Sequence, residues 1–232
     1  MFCVIFEVHP ADGKRDEYLA HAKELKPEIE AIDGFIDNER FENRLRPGWV
    51  LSLSTWRDEK SVIRWRRQTK HHFTQEKGRF EIFSDYHLRV GEVTADTHPP
   101  TPVREMRFDT TETGLSKACT ITELTPREGQ DVPRDDDALF PAAGLDRLAA
   151  GLNGFEIYDS IYTPGKVLVL AFWTAPEDAA SMRLTGVPGV ATARLRGVRV
   201  IREYGMFDRR ETPQFYPDVQ RTRYHGVIST TS

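Results

Sequence analysis

The feature that most constrains this chain is an internal repeat whose period is about half the chain length. The segment Phe2–Pro10 recurs as Ala118–Pro126, with Cys, Ile, Glu and Pro at matching places 116 residues apart. The segment Pro47–Trp56 recurs as Pro164–Trp173 with an offset of 117 residues. Solenoid repeats are shorter, about 20–50 residues, so the pattern indicates a duplicated domain. Each copy is therefore an internal control for the other, because functional side chains that one copy has and the other lacks stand out.

The repeat divides the 232 residues into two domains, each of roughly 100 residues. We expect copy one to cover residues 1–93 and copy two to cover residues 118–210. Residues 94–117 contain the proline-rich stretch His98–Pro102 and are typical of a linker. Residues 211–232 form a C-terminal tail. Domains of this size bury only a modest core, so the copies are expected to pack together or onto a second chain.

Copy one shows the order of strand and helix signals that a ferredoxin-like unit has. The apolar strand Phe2–Val8 precedes a helix with apolar positions every three or four residues, and Pro27 should kink or split that helix. A hairpin of the strands Phe35–Asn43 and Trp49–Trp56 follows. A second helix over Glu59–Lys77 and a last strand complete the order β-α-β-β-α-β. The predicted fold class is α+β, with two tandem ferredoxin-like domains built on antiparallel sheets.

Copy two repeats this order with weaker helices. Its first helical region contains the acidic run Asp135–Asp137 and Pro141, and only Leu145–Leu152 has a firm helical pattern. Its second helix is cut short near Thr185–Gly189, where glycine and proline cluster. We therefore expect the two copies to share their sheets and to differ in their helices.

Composition excludes several classes of function. The net charge is −4 and the pI is near 6.0, so no basic excess exists to neutralise nucleic-acid phosphates. No apolar run approaches the roughly 20 residues that span a bilayer, and we expect no signal peptide. We expect a cytoplasmic protein without nucleic-acid or membrane partners. Cys3 and Cys119 are expected to be reduced core thiols, with a disulfide between them as the alternative.

The chemically informative difference between the copies lies on the second helix of copy one. At about 100° per residue, Trp65 and His72 lie within about 20° of each other, while His71 points roughly to the opposite side. The corresponding positions of copy two hold Met182, Pro188 and Gly189. Copy two therefore lacks the pair of indole and imidazole, and any reaction site is predicted to lie in copy one.

Two interpretations of this helix stay open. In the first, Trp65 is a core residue, His72 is a satisfied histidine at the core margin, and His71 is solvated. In the second, Trp65 forms a wall of a pocket, and His72, or else His71, is a base, a hydrogen-bond donor or an axial ligand. On the strands, Asn38 either offers its amide to a ligand or lies on the hairpin surface, and Glu7 faces either the pocket or solvent. The other histidines lack partners at metal-ligand spacing, so no metal site is expected.

Several segments of copy one resemble a known family. They are Gly34–Phe35, Ser54–Glu59, Trp65–Arg67 with His71 after it, and Asp85–Val90. Together with the order of elements, they are similar to the antibiotic-biosynthesis-monooxygenase-like group of the dimeric α+β barrel superfamily. The resemblance extends to copy two through the duplication. It implies two antiparallel sheets that pack into a barrel, with each pocket between a sheet and its helices.

The resemblance also implies an activity. The family includes oxygenases of small or polycyclic aromatic phenols that use no bound cofactor or reduced flavin. In that mechanism Trp65 stacks on the substrate, His72 takes its proton, and Asn38 is the nearby amide. The family's haem-degrading branch makes haem binding through His72 or His71 a second hypothesis, and a barrel that only holds a ligand is the third. Glu7 stands where that branch is expected to have an asparagine, which argues against haem degradation.

Two further expectations concern partners. The arginines Arg57, Arg64, Arg66 and Arg67 of the second helix are expected to form a solvated surface, with an anionic substrate tail or a flavin phosphate as the alternative ligand. The tandem domains can close a barrel within one chain, as a monomer, or across chains. Two-fold symmetry is the commonest arrangement of soluble oligomers, and we expect a homodimer.

Overall fold

Eight strands and several short helices follow one another in the residues that the computed structural model describes, which are 1–68, 74–103, 114–185 and 189–208. The strands are β1 Phe2–Pro10, β2 Phe35–Asn43, β3 Val50–Trp56, β4 Phe83–Asp96, β5 Ala118–Pro126, β6 Leu152–Ser160, β7 Val167–Trp173 and β8 Val190–Gly205. The helices with both ends among these residues are α1 Arg15–Glu24, α2 Lys26–Glu30, α3 Glu59–Arg67, α4 Asp136–Ala143 and α5 Pro176–Ala179. Residues 74–77 are also helical and lead into a π-helical turn, Gly78–Ile82, which precedes β4.

The strands form a closed antiparallel barrel within the single chain, in the order β1-β3-β2-β6-β7-β5-β8-β4. Copy one supplies β1–β4 and copy two supplies β5–β8. The halves join where β2 pairs with β6 and where β4 pairs with β8. The predicted α+β fold with two ferredoxin-like antiparallel sheets is confirmed, and the barrel closes inside the chain. The homodimer and the domain boundaries stay predictions, and the tail predicted over residues 211–232 lies outside the described residues.

Alternation along each strand divides the side chains between the barrel interior and the outer face that the helices cover. In β1, Cys3 and Ile5 point inward and pack with Cys119 and Ile121 of β5. Both cysteines are buried free thiols, and burial raises the pKa of Cys119 to about 12. The prediction of two reduced core thiols is therefore confirmed.

The helices of copy one follow the sequence signals with one interruption. Pro27 splits the first helical region as predicted, because α1 ends at Glu24 and Pro27 lies in the first turn of α2, where a proline is tolerated. α3 begins after Asp58, whose carboxylate accepts a hydrogen bond from the Ser61 amide at 2.8 Å. The helix predicted to reach Lys77 is interrupted at Gln68, whose backbone is extended.

The helix predictions for copy two are partly wrong. Residues 145–151 form turns and irregular chain that lead into β6, and the helix lies earlier, in α4. The acidic run starts this helix, because the Asp135 carboxylate accepts a hydrogen bond from the Ala138 amide at 2.9 Å. Acidic residues in a first turn also favour the positive end of the helix dipole. Gly144 then ends α4 with a φ of +70°, which glycine adopts without strain.

Candidate active site

A cavity of about 810 Å³ lies between the outer face of the copy-one sheet and the helices α1, α2 and α3. Small-molecule sites typically have volumes of about 300–1,000 Å³. Tyr18 and Ala22 of α1, Ile29 of α2, and Val62 and Trp65 of α3 form much of its roof. The cavity therefore has the place and the size that a small-molecule site in this fold requires.

Two rows of side chains cross the sheet and form the floor of the cavity. In the first row, successive cross-strand partners on β8, β4, β1, β3 and β2 are Tyr204, Leu88, Phe6, Ser52 and Arg40. All five line the cavity. The row is apolar in its middle, on β4 and β1, and becomes polar on β3 and β2.

The second row repeats this change of polarity. Its successive partners on the same five strands are Arg202, Val90, Val4, Ser54 and Asn38, which also line the cavity. The polar ends of the two rows meet on β3 and β2. We call the group of Asn38, Arg40, Ser52 and Ser54 the polar corner.

Hydrogen bonds fix the orientation of the Asn38 amide in the polar corner. Its Nδ2 donates to Ser52 Oγ at 3.1 Å and to the Leu53 carbonyl at 2.9 Å. Its Oδ1 accepts a hydrogen bond from Arg40 Nη1 at 3.0 Å. The corner is therefore ordered by the chain itself, with the amide oxygen facing the guanidinium.

Aromatic side chains form another part of the wall. The Phe83 ring makes edge-on contacts with Phe6 and Tyr18, with ring centroids 5.9 and 5.7 Å apart. The Tyr18 hydroxyl is buried and has no hydrogen-bond partner among the described residues. Tyr86 contacts Phe6 and lines the cavity. This wall offers apolar packing surface together with a free phenolic hydroxyl.

The structure brings together two of the residues that the sequence predicts for the site. Trp65 lies in the roof and Asn38 in the floor, and both line the cavity. Trp65 also packs against an apolar cluster that contains Val62. His71 and His72 lie outside the described residues, so their roles as base or haem ligand stay predictions. Trp65 and Asn38 are placed where a ligand can reach them, and their roles in catalysis stay predictions too.

Glu7 faces neither the cavity nor solvent, which corrects both alternatives considered for it. Its carboxylate is buried in the barrel interior and accepts hydrogen bonds from Arg46, from Arg89 Nη1 at 2.6 Å and from the Tyr158 hydroxyl at 2.7 Å. Burial opposes ionisation, but the Arg89 and Arg46 guanidiniums outweigh it and hold the Glu7 pKa below its usual range. The β1 residue that lines the cavity beside it is Phe6.

Copy two fills the corresponding space with apolar side chains. By strand register, the polar corner corresponds to Phe155, Ile157, Val169 and Ala171. Phe140 of α4 packs edge-on against Phe155, with ring centroids 4.8 Å apart. Met182, which stands at the position of Trp65, is buried in the same cluster. The polar corner is therefore specific to copy one.

The sequence analysis missed Arg40, Ser52 and Ser54. A signal for them is nevertheless present, because the repeat aligns Ser52 with Val169 and Ser54 with Ala171. Where a polar residue of one copy aligns with an apolar residue of the other, the outer faces of the two sheets differ.

Among the described residues, no three His, Cys, Asp or Glu side chains are grouped so that they could hold a metal ion. None of the helices in these ranges is long and apolar enough to cross a membrane.

Two solved structures are similar to the chain at low identity. An anthrone oxidase-like protein is 12% identical, with 88% of this chain and 92% of that chain covered and a TM-score of 0.37. An aldoxime dehydratase is 11% identical, with 86% of this chain and 80% of that chain covered and a TM-score of 0.47. Similarity at this level says nothing about the reaction.

Similarity in sequence identifies the family of the chain. The family model described as antibiotic biosynthesis monooxygenase matches residues 1–77, within copy one. A curated relative, the jasmonate monooxygenase ABM of Pyricularia oryzae (strain 70-15), is 41% identical over 224 residues, which cover 94% of this chain and 99% of the relative. The predicted family and the predicted enzyme class, a monooxygenase, are thereby confirmed. The chain belongs to the antibiotic biosynthesis monooxygenase family.

Proposed function

We propose that the cavity of copy one is the monooxygenase site and that its substrate is a small, mainly apolar molecule of the jasmonate type. The observation that carries this proposal is the difference between the copies. Copy one has an open cavity with a polar corner, whereas copy two fills the same space with Phe140 and Phe155. The choice of jasmonate as the type of substrate comes from the name of the relative, a jasmonate monooxygenase.

The proposed role of the protein is to bind the substrate, to orient it and to shield its reacting carbon from water. A monooxygenase puts one atom of dioxygen into its substrate and reduces the other to water, which consumes two electrons and two protons. The electrons come from the substrate itself or from reduced flavin, whose phosphate would be held by Arg66 and Arg67 at the cavity wall. The apolar middle of the floor and the roof with Trp65 would keep water from the reacting carbon, which protects reactive oxygen intermediates.

A flat phenol is the second candidate substrate. The contacts of Phe6, Tyr18 and Tyr86 with one another or with Phe83 create an aromatic wall against which a planar ring can pack edge-on or offset. His72 as the base that takes the phenolic proton belongs to this candidate.

Oxygen-18 labelling tests the proposed function. The purified protein is incubated with ¹⁸O₂ and either jasmonate or a flat phenol such as anthrone, with and without reduced flavin, and the product mass is measured. Reactions without protein correct for oxidation by free flavin. We expect one labelled oxygen atom in the product formed from jasmonate.

The other outcomes separate the competing hypotheses. Labelling of the phenol alone would favour the aromatic substrate. Binding without labelling under every condition would contradict the proposed function and leave a ligand-binding barrel. A Soret absorption band in the purified protein that disappears in His72→Ala would support the haem hypothesis.

A further inference from the structure

We infer that Arg40 binds a carboxylate of the substrate and so determines which end of the molecule lies at the polar corner. This inference rests on the proposed function, since it concerns the ligand of the same cavity. It adds a specificity-determining residue and a substrate class, an apolar molecule with one anionic end.

The charge of Arg40 has no counter-ion within the chain's described part. No carboxylate oxygen in those residues lies within 4.0 Å of its guanidinium, although Arg40 is only partly exposed. Its Nη1 donates to the neutral amide oxygen of Asn38, and its Nε is buried without a hydrogen-bond partner in the same residues. A partly buried cation is costly unless an anion accompanies it, so the position favours an anion that the ligand supplies.

Arginines elsewhere on the strands are paired within the chain. Arg89 lies 2.6 Å from Glu7 and 2.9 Å from Glu203, and Arg196 pairs with Glu123. These arginines stabilise the barrel interior, and carboxylates of the chain already neutralise their charges. Arg202 of β8 lines the cavity but pairs with Glu59 at 3.5 Å. Arg40 lines the cavity without such a pair among the described residues, and its planar fork of N–H groups matches the geometry of a carboxylate.

The duplicate indicates that the fold does not require an arginine at this register. Ile157 occupies the corresponding position on β6 and is buried in the apolar cluster under α4. A strand of the same barrel thus tolerates an apolar side chain there. The arginine is therefore better explained by a ligand than by the architecture.

The layout of the floor sets the approximate length of the ligand. Neighbouring strands lie about 4.8 Å apart, so the three intervals from Arg40 on β2 to Leu88 on β4 span about 14 Å. The apolar side chains Phe6 and Leu88 occupy the middle of this row. A carboxylate held at Arg40 would place an apolar body across β1 and β4, beneath the roof that contains Trp65.

Binding of an acid and of its methyl ester tests the role of Arg40. Jasmonate and methyl jasmonate share the apolar body and differ in charge, and their affinities are measured by isothermal titration calorimetry. We expect the wild type to bind the acid about 10- to 100-fold more tightly than the ester, the range for charge-assisted hydrogen bonds. Arg40→Met should remove this preference and leave ester binding nearly unchanged, and Arg40→Lys should restore part of it.

Arg147→Met is the matched control. Arg147 is an exposed arginine of copy two that pairs with Asp136 and does not line the cavity of copy one, so this variant loses the same charge outside the proposed site and should keep the preference for the acid. Circular dichroism and thermal melting check the fold of each variant. If Arg40→Met does not fold, the acid-to-ester ratio of the wild type and of Arg40→Lys decides the question.

The outcomes separate this inference from the proposed function. Equal binding of acid and ester by the wild type, or a preference that survives Arg40→Met, would overturn the role of Arg40. The second result would point instead to Arg66 and Arg67 as the anion site. In both cases, incorporation of oxygen-18 into jasmonate or its methyl ester would still support the proposed function. If the wild type neither binds nor labels them, both proposals fail.

Discussion

Replacing Asn38 with phenylalanine is expected to lower kcat/KM for oxygenation by about 100-fold or more, the scale on which a misplaced substrate loses reactivity. Phenylalanine is the residue that copy two has at the corresponding register, where Phe155 packs against Phe140 and fills the space. In copy one the new ring would enter the cavity from its floor and would remove the amide that holds Arg40. Steady-state oxygenation rates with jasmonate measure the effect.

Two companion variants separate the causes. Asn38→Ala removes the amide without filling the cavity, so it should retain more activity than Asn38→Phe. Phe155→Leu changes the corresponding position in copy two and should leave kcat/KM near the wild-type value. Wild-type kinetics in Asn38→Phe, with the fold intact, would contradict the location of the site.

Glu7→Gln is expected to lower the free energy of unfolding by about 3 kcal/mol, because it removes one partner from a buried ionic group. The buried carboxylate accepts hydrogen bonds from Arg46, Arg89 and Tyr158. A neutral amide cannot compensate the two guanidiniums that face it. Urea denaturation followed by circular dichroism measures the change.

The decrease in the free energy of unfolding caused by Glu7→Gln should be large at neutral pH and smaller at acidic pH. The pKa of Glu7 is lowered in the folded protein, and the pKa of Glu203 is lowered to about 2, since His87 and Arg89 outweigh the effect of its burial. A carboxylate with a depressed pKa stabilises the fold fully above its usual pKa near 4.5, and this contribution is lost as the pH falls through the folded-state value. The difference in stability between the wild type and Glu7→Gln should therefore shrink progressively as the pH falls below about 4.5.

An exposed carboxylate provides the control for this variant. Glu24→Gln removes the same charge from the surface end of α1, where the exposed Glu24 carboxylate lies 3.4 Å from His21, and should change stability by less than about 0.5 kcal/mol. Glu123 is the residue of copy two that corresponds to Glu7, and it pairs with Arg196 and with Lys166 at 2.5 Å. Glu123→Gln tests this second carboxylate in the same way. Equal stabilities of Glu7→Gln and Glu24→Gln at neutral pH would contradict the assigned role of the interior carboxylate.

The architecture could be predicted from the sequence because its signals are local and repeated. The aligned strands gave the two sheets, and Pro27 marked the break between α1 and α2. The α4 prediction failed because the acidic run around Asp135 was taken as an interruption, whereas a carboxylate before a first turn caps a helix. Alternation along β1 could not decide the direction of Glu7, because one face of this strand lies in the barrel interior and the other lies under the helices.

The site could be predicted only in part. Trp65 and Asn38 were identified, because an aromatic residue on a helix face and an amide on a strand are visible in the sequence. Arg40 was not identified, because the absence of a counter-ion depends on which strands lie beside it and becomes apparent only once the barrel is closed. Its contrast with Ile157 requires the register of β2 and β6, which the unequal hairpin lengths of the two copies obscure.

The most direct test of the central claim is a crystal structure of the protein with jasmonate, prepared without dioxygen so that the ligand does not react. The proposed site predicts electron density for one molecule in the cavity of copy one, between Trp65 and the floor residues Phe6 and Leu88, with its carboxylate against Arg40. Ligand density in the barrel interior or against copy two, with the cavity of copy one empty, would contradict the claim.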